Sequence, residues 1–187
     1  MKSSPSSSLL FILCLCFIFY APVPTLCGNL YETLCNEAKE DANRCLNLLK
    51  DYSNITSAAN YLDLSRSILQ VALDKSTQAE WYIIGKVMKE HPSGPIKICG
   101  TECYGDLTSW SLRRALDDLV KDPNNLSYDL RRAGTGPPEC EGYLEAGNIT
   151  NPVIHSMNIE MSLFCKIGFL ATNHLVVEKN HRKLLVN

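Results

Sequence analysis

Cysteine and histidine are the residues of this chain best suited to metal, redox or nucleophilic chemistry, and its 187 residues include nine cysteines and four histidines. The histidines have no metal-ligand spacing with one another. Cys99 and Cys103 are four residues apart and could place two thiolates on one face of a helix, but a zinc site usually needs two more ligands at suitable spacing. The cysteines therefore favour disulfides over a metal site.

Motifs of the common enzyme classes are also missing from the sequence. There is no G-x-S-x-G elbow, no glycine-rich phosphate loop and no H-E-x-x-H helix. Neighbouring carboxylates such as Asp117 and Asp118 fall on polar helix faces, whereas acid–base catalysis needs a cleft that separates two pKa values. We therefore predict a protein that is not an enzyme, has no cofactor or metal, and acts by binding another molecule.

The amino terminus has the pattern of an export signal. Lys2 and a serine-rich start precede thirteen almost wholly apolar residues, 9–21, a run too short to span a bilayer. Cleavage is expected after Cys27, or earlier near Ala21. Residues 1–27 are thus predicted to be a signal peptide, residues 28–180 one domain and residues 181–187 a short tail.

The cysteine count, the glycosylation sequons and the charge agree with export. Six cysteines remain after the signal, and an even number in a secreted chain is typical of a disulfide framework. N-x-[ST] sequons occur at Asn54, Asn125 and Asn148. Without Lys2 the chain has 17 basic and 20 acidic residues, a net charge of −3. This balance argues against a nucleic-acid partner, and no later segment is predicted to enter a membrane.

The rest of the chain has the apolar periodicity of helices. Leu112, Ala115, Leu116 and Leu119 follow the 3–4 spacing of a buried helix face, and Asn151-Pro152 is a good start for a long apolar last helix. The Gly134–Pro138 stretch is predicted to be a break. With short loops and no alternating strand pattern, the sequence predicts an all-α, up-and-down bundle.

Cys35 and Cys45 lie ten residues apart inside the first helical segment. A straight helix would hold them about 15 Å apart, too far for a disulfide. A bridge between them therefore needs a turn inside the segment, and we expect a small helical hairpin closed by Cys35–Cys45. On the chain-entropy model this bridge stabilises the fold by about 2.7 kcal/mol.

Four features follow one another along the chain: the Cys35–Cys45 hairpin, Glu102-Cys103, Cys140-Glu-Gly-Tyr143 and the Asn151-Pro152 helix start. In their order and spacing, the sequence over residues 30–175 resembles the plant invertase and pectin methylesterase inhibitor family. The resemblance implies an up-down-up-down four-helix bundle preceded by the hairpin. It also implies a second disulfide, Cys103–Cys140, with Cys99 as the alternative partner of Cys140. Cys99 and Cys165 are then free thiols or a third bridge.

The resemblance implies a secreted inhibitor that occludes the active-site cleft of a cell-wall carbohydrate enzyme in a one-to-one complex. The location would be the apoplast or cell wall, with the vacuole as an alternative. Family members similar to invertase inhibitors often carry Pro-Lys-Phe in one turn, but the matching target-binding turn here is Pro123-Asn124-Asn125. A pectin methylesterase and an acid invertase both stay open as the target. So does a non-inhibitory binding or storage-like domain of the same fold.

Overall fold

The computed structural model describes residues 29–186, and for residues 123, 124 and 178–186 it describes the backbone alone. The predicted signal peptide therefore lies outside the described residues. Over the described range the chain forms seven helices and no strand, and no helix there is long and apolar enough to cross a membrane. The all-α prediction is confirmed.

Two of the seven helices contain a π-helical segment. In order along the chain they are α1 Leu30–Glu37, α2 Ala42–Leu49, α3 Ser53–Thr56, α4 (Tyr61–Tyr82, the π segment Ile83–Val87 and Met88–Glu90), α5 (Gly94–Ile98, the π segment Cys99–Ser109 and Trp110–Lys121), α6 Pro123–Ala146 and α7 Pro152–Val186.

Helices α4 to α7 form the predicted four-helix bundle. Each contacts two neighbours: α4 packs on α5 and α7, and α6 packs on the same two helices from the other side. Short connections reverse the chain between successive helices, which gives the up-down-up-down order. The centre is filled by large apolar side chains that are fully withdrawn from solvent: Leu64, Ile68, Leu69, Ile83, Ile96, Tyr104, Leu112, Leu126 and Phe164.

The helix starts are set by short polar side chains. The Asn60 side chain accepts the Asp63 N–H at 2.9 Å and caps α4, while Asn151 accepts the N–H groups of Val153 and Ile154 at 3.1 Å. Pro152 is the first residue of α7, where a backbone N–H would have no acceptor within the helix, and proline has no N–H there. The predicted start of the last helix is confirmed, and its backbone continues through 181–186, the segment assigned to a tail.

The amino-terminal hairpin consists of α1, a 3₁₀ turn Lys39–Asp41, and α2. Cys35 and Cys45 are joined by a disulfide with their Cα atoms 5.3 Å apart, as expected. Lys166 and His174 connect α7 to the hairpin: Lys166 Nζ lies 2.7 Å from Asp41 Oδ2, and His174 Nε2 lies 3.0 Å from Glu37 Oε1. The hydrogen bond from Lys166 lowers the pKa of Asp41.

The expected break at Gly134–Pro138 is wrong, because α6 runs through it without interruption. Pro137 has no N–H, so the carbonyl of Ala133 four residues earlier loses its helical donor. The hydroxyl of Thr108 on α5 reaches this carbonyl at 3.3 Å and also lies 2.8 Å from the carbonyl of Cys103. The Thr108 hydroxyl therefore replaces the hydrogen-bond donor that the Ala133 carbonyl loses to Pro137.

The preferred pairing Cys103–Cys140 is also wrong: Cys140 is bonded to Cys99, its alternative partner, with Cα atoms 4.5 Å apart. The antiparallel register of α5 and α6 explains why. Gly136 packs directly on the carbonyl of Cys103, so Cys103 lies one helical turn, about 6 Å, from the level of Cys140. Combined with the distance between the two helices, this offset puts the Cα atoms of Cys103 and Cys140 roughly 7 to 8 Å apart, beyond the reach of a disulfide.

Cys103 and Cys165 are the free cysteines of the described residues, and both are buried. A bridge between Cys99 and Cys165 is therefore absent from the structure. Burial raises the pKa of each free thiol to about 12. Both thiols stay protonated at physiological pH, and they behave as small apolar groups in the core.

Candidate interaction surfaces

The described side chains form no group of three metal-ligating residues close enough to hold an ion. His155 and His174 each contact a carboxylate on a different part of the surface, and His91 is exposed after α4. The side chain of His181 is outside the described part. The structure therefore brings no two of the described histidines together, and the surfaces that remain are candidates for binding.

The first candidate is the turn between α5 and α6, at the predicted target-binding residues Pro123, Asn124 and Asn125. In the structure Pro123 begins α6, so these residues form the first helical turn and not a protruding loop. The exposed Asn125 side chain donates a hydrogen bond to Asp122 at 3.1 Å. This contact joins the first turn of α6 to the residue that precedes the helix.

The three sequons all lie on the surface of the described chain. Asn54 and Asn125 are exposed, and so is Asn148, which adopts the left-handed conformation with φ 53°. The N–H of Asn148 bonds the carbonyl of Glu145, and the N–H of Ile149 bonds that of Leu144. These are the bonds of a Schellman motif, in which asparagine often takes the left-handed position. Each asparagine is accessible to a glycosylating enzyme.

The second candidate is a groove of about 510 Å³ between α6 and α7, which we call the α6–α7 groove. Its walls include Glu141, Glu145, His155, Asn158 and Ile159. A chain of hydrogen bonds crosses it: His155 Nδ1 lies 2.8 Å from Glu141 Oε1, and Asn158 Nδ2 donates to Glu141 Oε2 at 2.6 Å. The buried hydroxyl of Tyr104 donates to Asn158 Oδ1 at 2.9 Å. Sequence reasoning missed this network because its members come from three helices.

The electrostatics of the groove depend on Glu141. Burial alone would raise the pKa of this carboxyl, but the hydrogen bonds from Asn158 and His155 outweigh burial and hold its pKa below the ordinary value. The charged form of Glu141 therefore stabilises the fold. That contribution is present above the unfolded-state pKa, about 4.3, and is lost as the pH falls through the lower folded-state pKa.

Replacing Glu141 with glutamine should lower the free energy of unfolding by about 1 kcal/mol at neutral pH, because hydrogen bonds to a charged acceptor are weakened. The difference from the unmodified chain should disappear at strongly acidic pH. Urea unfolding followed by circular dichroism between pH 3 and 7 measures both effects. Glu145→Gln, one turn further along α6, is the control and should change little. A loss that is equal at pH 3 and pH 7 would contradict the assigned role of the charge.

The third candidate is an aromatic and cationic patch on the outer side of α5 and α6. We call it the Trp110 patch and define it as Trp110, Arg114, Tyr128 and Arg132. The guanidinium carbons of Arg114 and Arg132 lie 4.8 and 5.1 Å from the centre of the Trp110 ring. Trp110 is 43% exposed and Tyr128 60% exposed. Nothing in the sequence next to Trp110 shows that its ring is exposed.

Asp129 lies beneath this patch. Its side chain is fully buried, and neither carboxylate oxygen has a hydrogen-bond partner; its nearest cation is Arg114, whose Nε lies 3.6 Å away. Burial raises the pKa of Asp129, while Arg114 acts in the opposite direction. The contact fixes Arg114 from below while the ring of Trp110 fixes it from the side.

Solved structures of two pectin methylesterase inhibitors are similar to this chain. The crystal structure of mutant form A of such an inhibitor from Arabidopsis matches with a TM-score of 0.66 at 16% identity, over 78% of this chain and 97% of that one. A second, from Arabidopsis thaliana, matches with a TM-score of 0.55 at 14% identity, over 79% and 97%. The chain has the fold of a pectin methylesterase inhibitor. No protein-family model and no curated protein matches the sequence.

This chain contains both parts that the sequence predicts, the hairpin and the bundle. The two similar structures are inhibitors and not enzymes. At this level of identity the likeness concerns the arrangement of helices. The residues that contact a partner must therefore be argued from the surfaces of this chain.

Proposed function

We propose that this chain is a secreted protein inhibitor that occludes the active-site cleft of a cell-wall pectin methylesterase in a one-to-one complex. The single observation that carries the proposal is the shared fold with two pectin methylesterase inhibitors over more than three quarters of the chain. The predicted export signal, the sequons and the disulfides support a location in the same compartment as such an enzyme.

The chemistry of the surface supports a binding role. The described histidines lie apart, the free thiols are buried and protonated, and the groove carboxylate Glu141 is held in its charged form by hydrogen bonds. A helical bundle can instead block an enzyme sterically. A stable complex of this kind needs on the order of 800 Å² of surface from each partner, which two neighbouring helices can supply.

Pectin methylesterase is favoured over acid invertase by the turn at the start of α6. The Pro-Lys-Phe sequence that the resemblance associates with invertase inhibitors is replaced by Pro123-Asn124-Asn125. These residues also form the first turn of a helix, and Asn125 is an exposed sequon. A glycan on Asn125 would obstruct insertion of this turn into a cleft.

Purified protein should reduce methanol release by a pectin methylesterase and should leave sucrose hydrolysis by an acid invertase unchanged. The inhibition should saturate at one equivalent of inhibitor, since steric occlusion needs one molecule for each active site. Titrations at several acidic pH values against a panel of isoforms of both enzymes would measure this.

Two outcomes of the titration would contradict the proposal. Inhibition of invertase alone would reassign the target. Loss of neither activity across the panel would indicate a non-inhibitory binding or storage-like domain. A pull-down from cell-wall extract with the same protein would then be expected to recover no esterase or glycoside hydrolase.

A further inference from the structure

We propose that the Trp110 patch is the centre of the surface that contacts the inhibited enzyme, and that it binds a carboxylate-bearing region at the rim of that enzyme's cleft. The inference rests on the proposed inhibitory function and deepens it by assigning the contact surface. It selects the outer side of α5 and α6 over the α5–α6 turn and over the α6–α7 groove.

The composition of the patch is the first reason. Tryptophan, tyrosine and arginine are the residues most enriched at binding hot spots. Here Arg114 and Arg132 contact the Trp110 ring, and Tyr128 lies one helical turn before Arg132 on the same side of α6. Trp110 and Tyr128 expose 43% and 60% of their surface, although large aromatic rings are usually withdrawn from water. The packing of the bundle does not explain their exposure, whereas a partner that covers them would.

Preorganisation is the second reason. Arg114 is held by the Trp110 ring at 4.8 Å and by buried Asp129 at 3.6 Å, and Arg132 is held by the same ring at 5.1 Å. A long side chain that is already fixed loses less conformational freedom on binding. The Asp129 contact is to Nε, so the end-on edge between the two terminal nitrogens of Arg114 is not taken up by Asp129, and this edge can bind a carboxylate in a bidentate manner.

The local charge identifies the kind of partner. Asp129 is buried under the patch, and the carboxylates about one helical turn after Arg114 are the exposed Asp117 and the half-buried Asp118. The two patch arginines are each preceded in the chain by a further exposed arginine, Arg113 and Arg131, so cationic groups outnumber carboxylates on this side. The patch is therefore cationic, although the chain as a whole has a net charge of −2. A second copy of the chain would present the same positive patch in a symmetric contact, which disfavours self-association. A carboxylate-bearing surface is complementary.

The other two surfaces lack this combination. The groove carboxylate Glu141 is already hydrogen-bonded within the chain by His155 and Asn158. At the α5–α6 turn, Asn125 is engaged with Asp122. Asn125 is also three residues before Tyr128 and so on the same side of α6, where a glycan would partly cover the patch. Ser127→Ala removes this sequon and keeps Asn125, and it is the common background for the test.

Binding of the full secreted chain to an immobilised pectin methylesterase that it inhibits tests the assignment. Trp110→Ala and Arg132→Ala should each raise Kd at least tenfold. Trp81→Ala is the matched aromatic control, because Trp81 is 73% exposed on α4. Arg66→Ala is the matched charge control, because Arg66 is an exposed arginine paired with Asp63 on the same helix. Both controls should stay within twofold of the unmodified chain.

Ionic strength gives a second readout. Raising the salt from 0.05 to 0.5 M should weaken binding of the unmodified chain several-fold and should affect an Arg114→Ala, Arg132→Ala double variant much less, because salt screens exposed charge pairs. Thermal unfolding of every variant within a few degrees of the unmodified chain shows that the fold is kept. If Trp110→Ala unfolds, the Kd values of Trp110→Phe and Arg132→Ala test the assignment in its place.

Several results would overturn the assignment. Equal binding by the Trp110 and Trp81 variants would move the contact elsewhere and leave the proposed inhibition standing, whereas no inhibition by the unmodified chain would overturn both. A concentration-dependent dimer in light scattering that Trp110→Ala abolishes would make the patch a self-association surface. Retention of the unmodified chain by polygalacturonate without enzyme, lost in the double arginine variant, would make it a polyanion site.

Discussion

Replacing Gly136 with alanine should lower the free energy of unfolding by about 2 kcal/mol, although alanine is the better helix former. A Cβ atom at this position would overlap the carbonyl oxygen of Cys103 and the hydroxyl of Thr108, and the carbonyl is backbone that cannot move aside alone. Overpacking of this kind costs about 1 to 3 kcal/mol, and the gain in helix propensity offsets at most about 1 kcal/mol. Gly136→Val should cost more, about 3 kcal/mol.

Gly142 provides a control six residues further along α6. It is exposed, and a Cβ atom there would meet nothing within 4 Å. Gly142→Ala should therefore raise the free energy of unfolding by roughly 0.5 to 1 kcal/mol. Urea denaturation of the unmodified chain, Gly136→Ala and Gly142→Ala measures both changes in the free energy of unfolding. If the two alanine variants shifted stability by the same amount and in the same direction, the close approach of α6 to α5 at Gly136 would be wrong.

The bundle was predictable from the sequence because the apolar residues repeat at helical spacing and the helix ends carry their own signals. Asn151 and Pro152 begin α7 as expected, and Leu112, Ala115 and Leu119 lie on the buried side of α5. These are local patterns, each set by residues within one or two turns of one another. Such patterns determine where a helix forms and which side it buries.

What could not be predicted depends on contacts between distant residues. Pro137 and Pro138 predict a break in the helix. The sequence does not show that the hydroxyl of Thr108, 25 residues before Ala133, reaches the Ala133 carbonyl. The π-helical segment that carries Thr108 has no sequence signature of its own. Exposure of Trp110 likewise depends on how α5 and α6 are rotated against each other. The candidate contact surface was missed for this reason.

Cys99→Ser should lower the free energy of unfolding by about 4 kcal/mol, the largest stability effect that we expect from a single side chain. The Cys99–Cys140 bond closes a loop with a sequence separation of 41 residues. On the chain-entropy model, removing the bond raises the conformational entropy of the unfolded chain, which stabilises the unfolded state by about 4 kcal/mol. The shorter Cys35–Cys45 loop, with a separation of 10, should contribute about 2.7 kcal/mol. A loss of 4 kcal/mol is a large fraction of the stability of a typical domain.

Cys103→Ser is the control, because it changes a buried residue four positions away without touching the bond. It should cost about 1 kcal/mol for burying a hydroxyl in place of a thiol, and non-reducing peptide mapping should still find Cys99 joined to Cys140. Thiol titration in denaturant shows whether Cys140 stays unpaired in the Cys99→Ser variant or forms a new bond with Cys103. Cys99→Ser should show one more free thiol than the unmodified chain, because Cys103 is held at the level of Gly136 and cannot reach Cys140. One fewer thiol would mean that Cys103 had replaced Cys99 as the partner, and that α5 and α6 can slide by a helical turn.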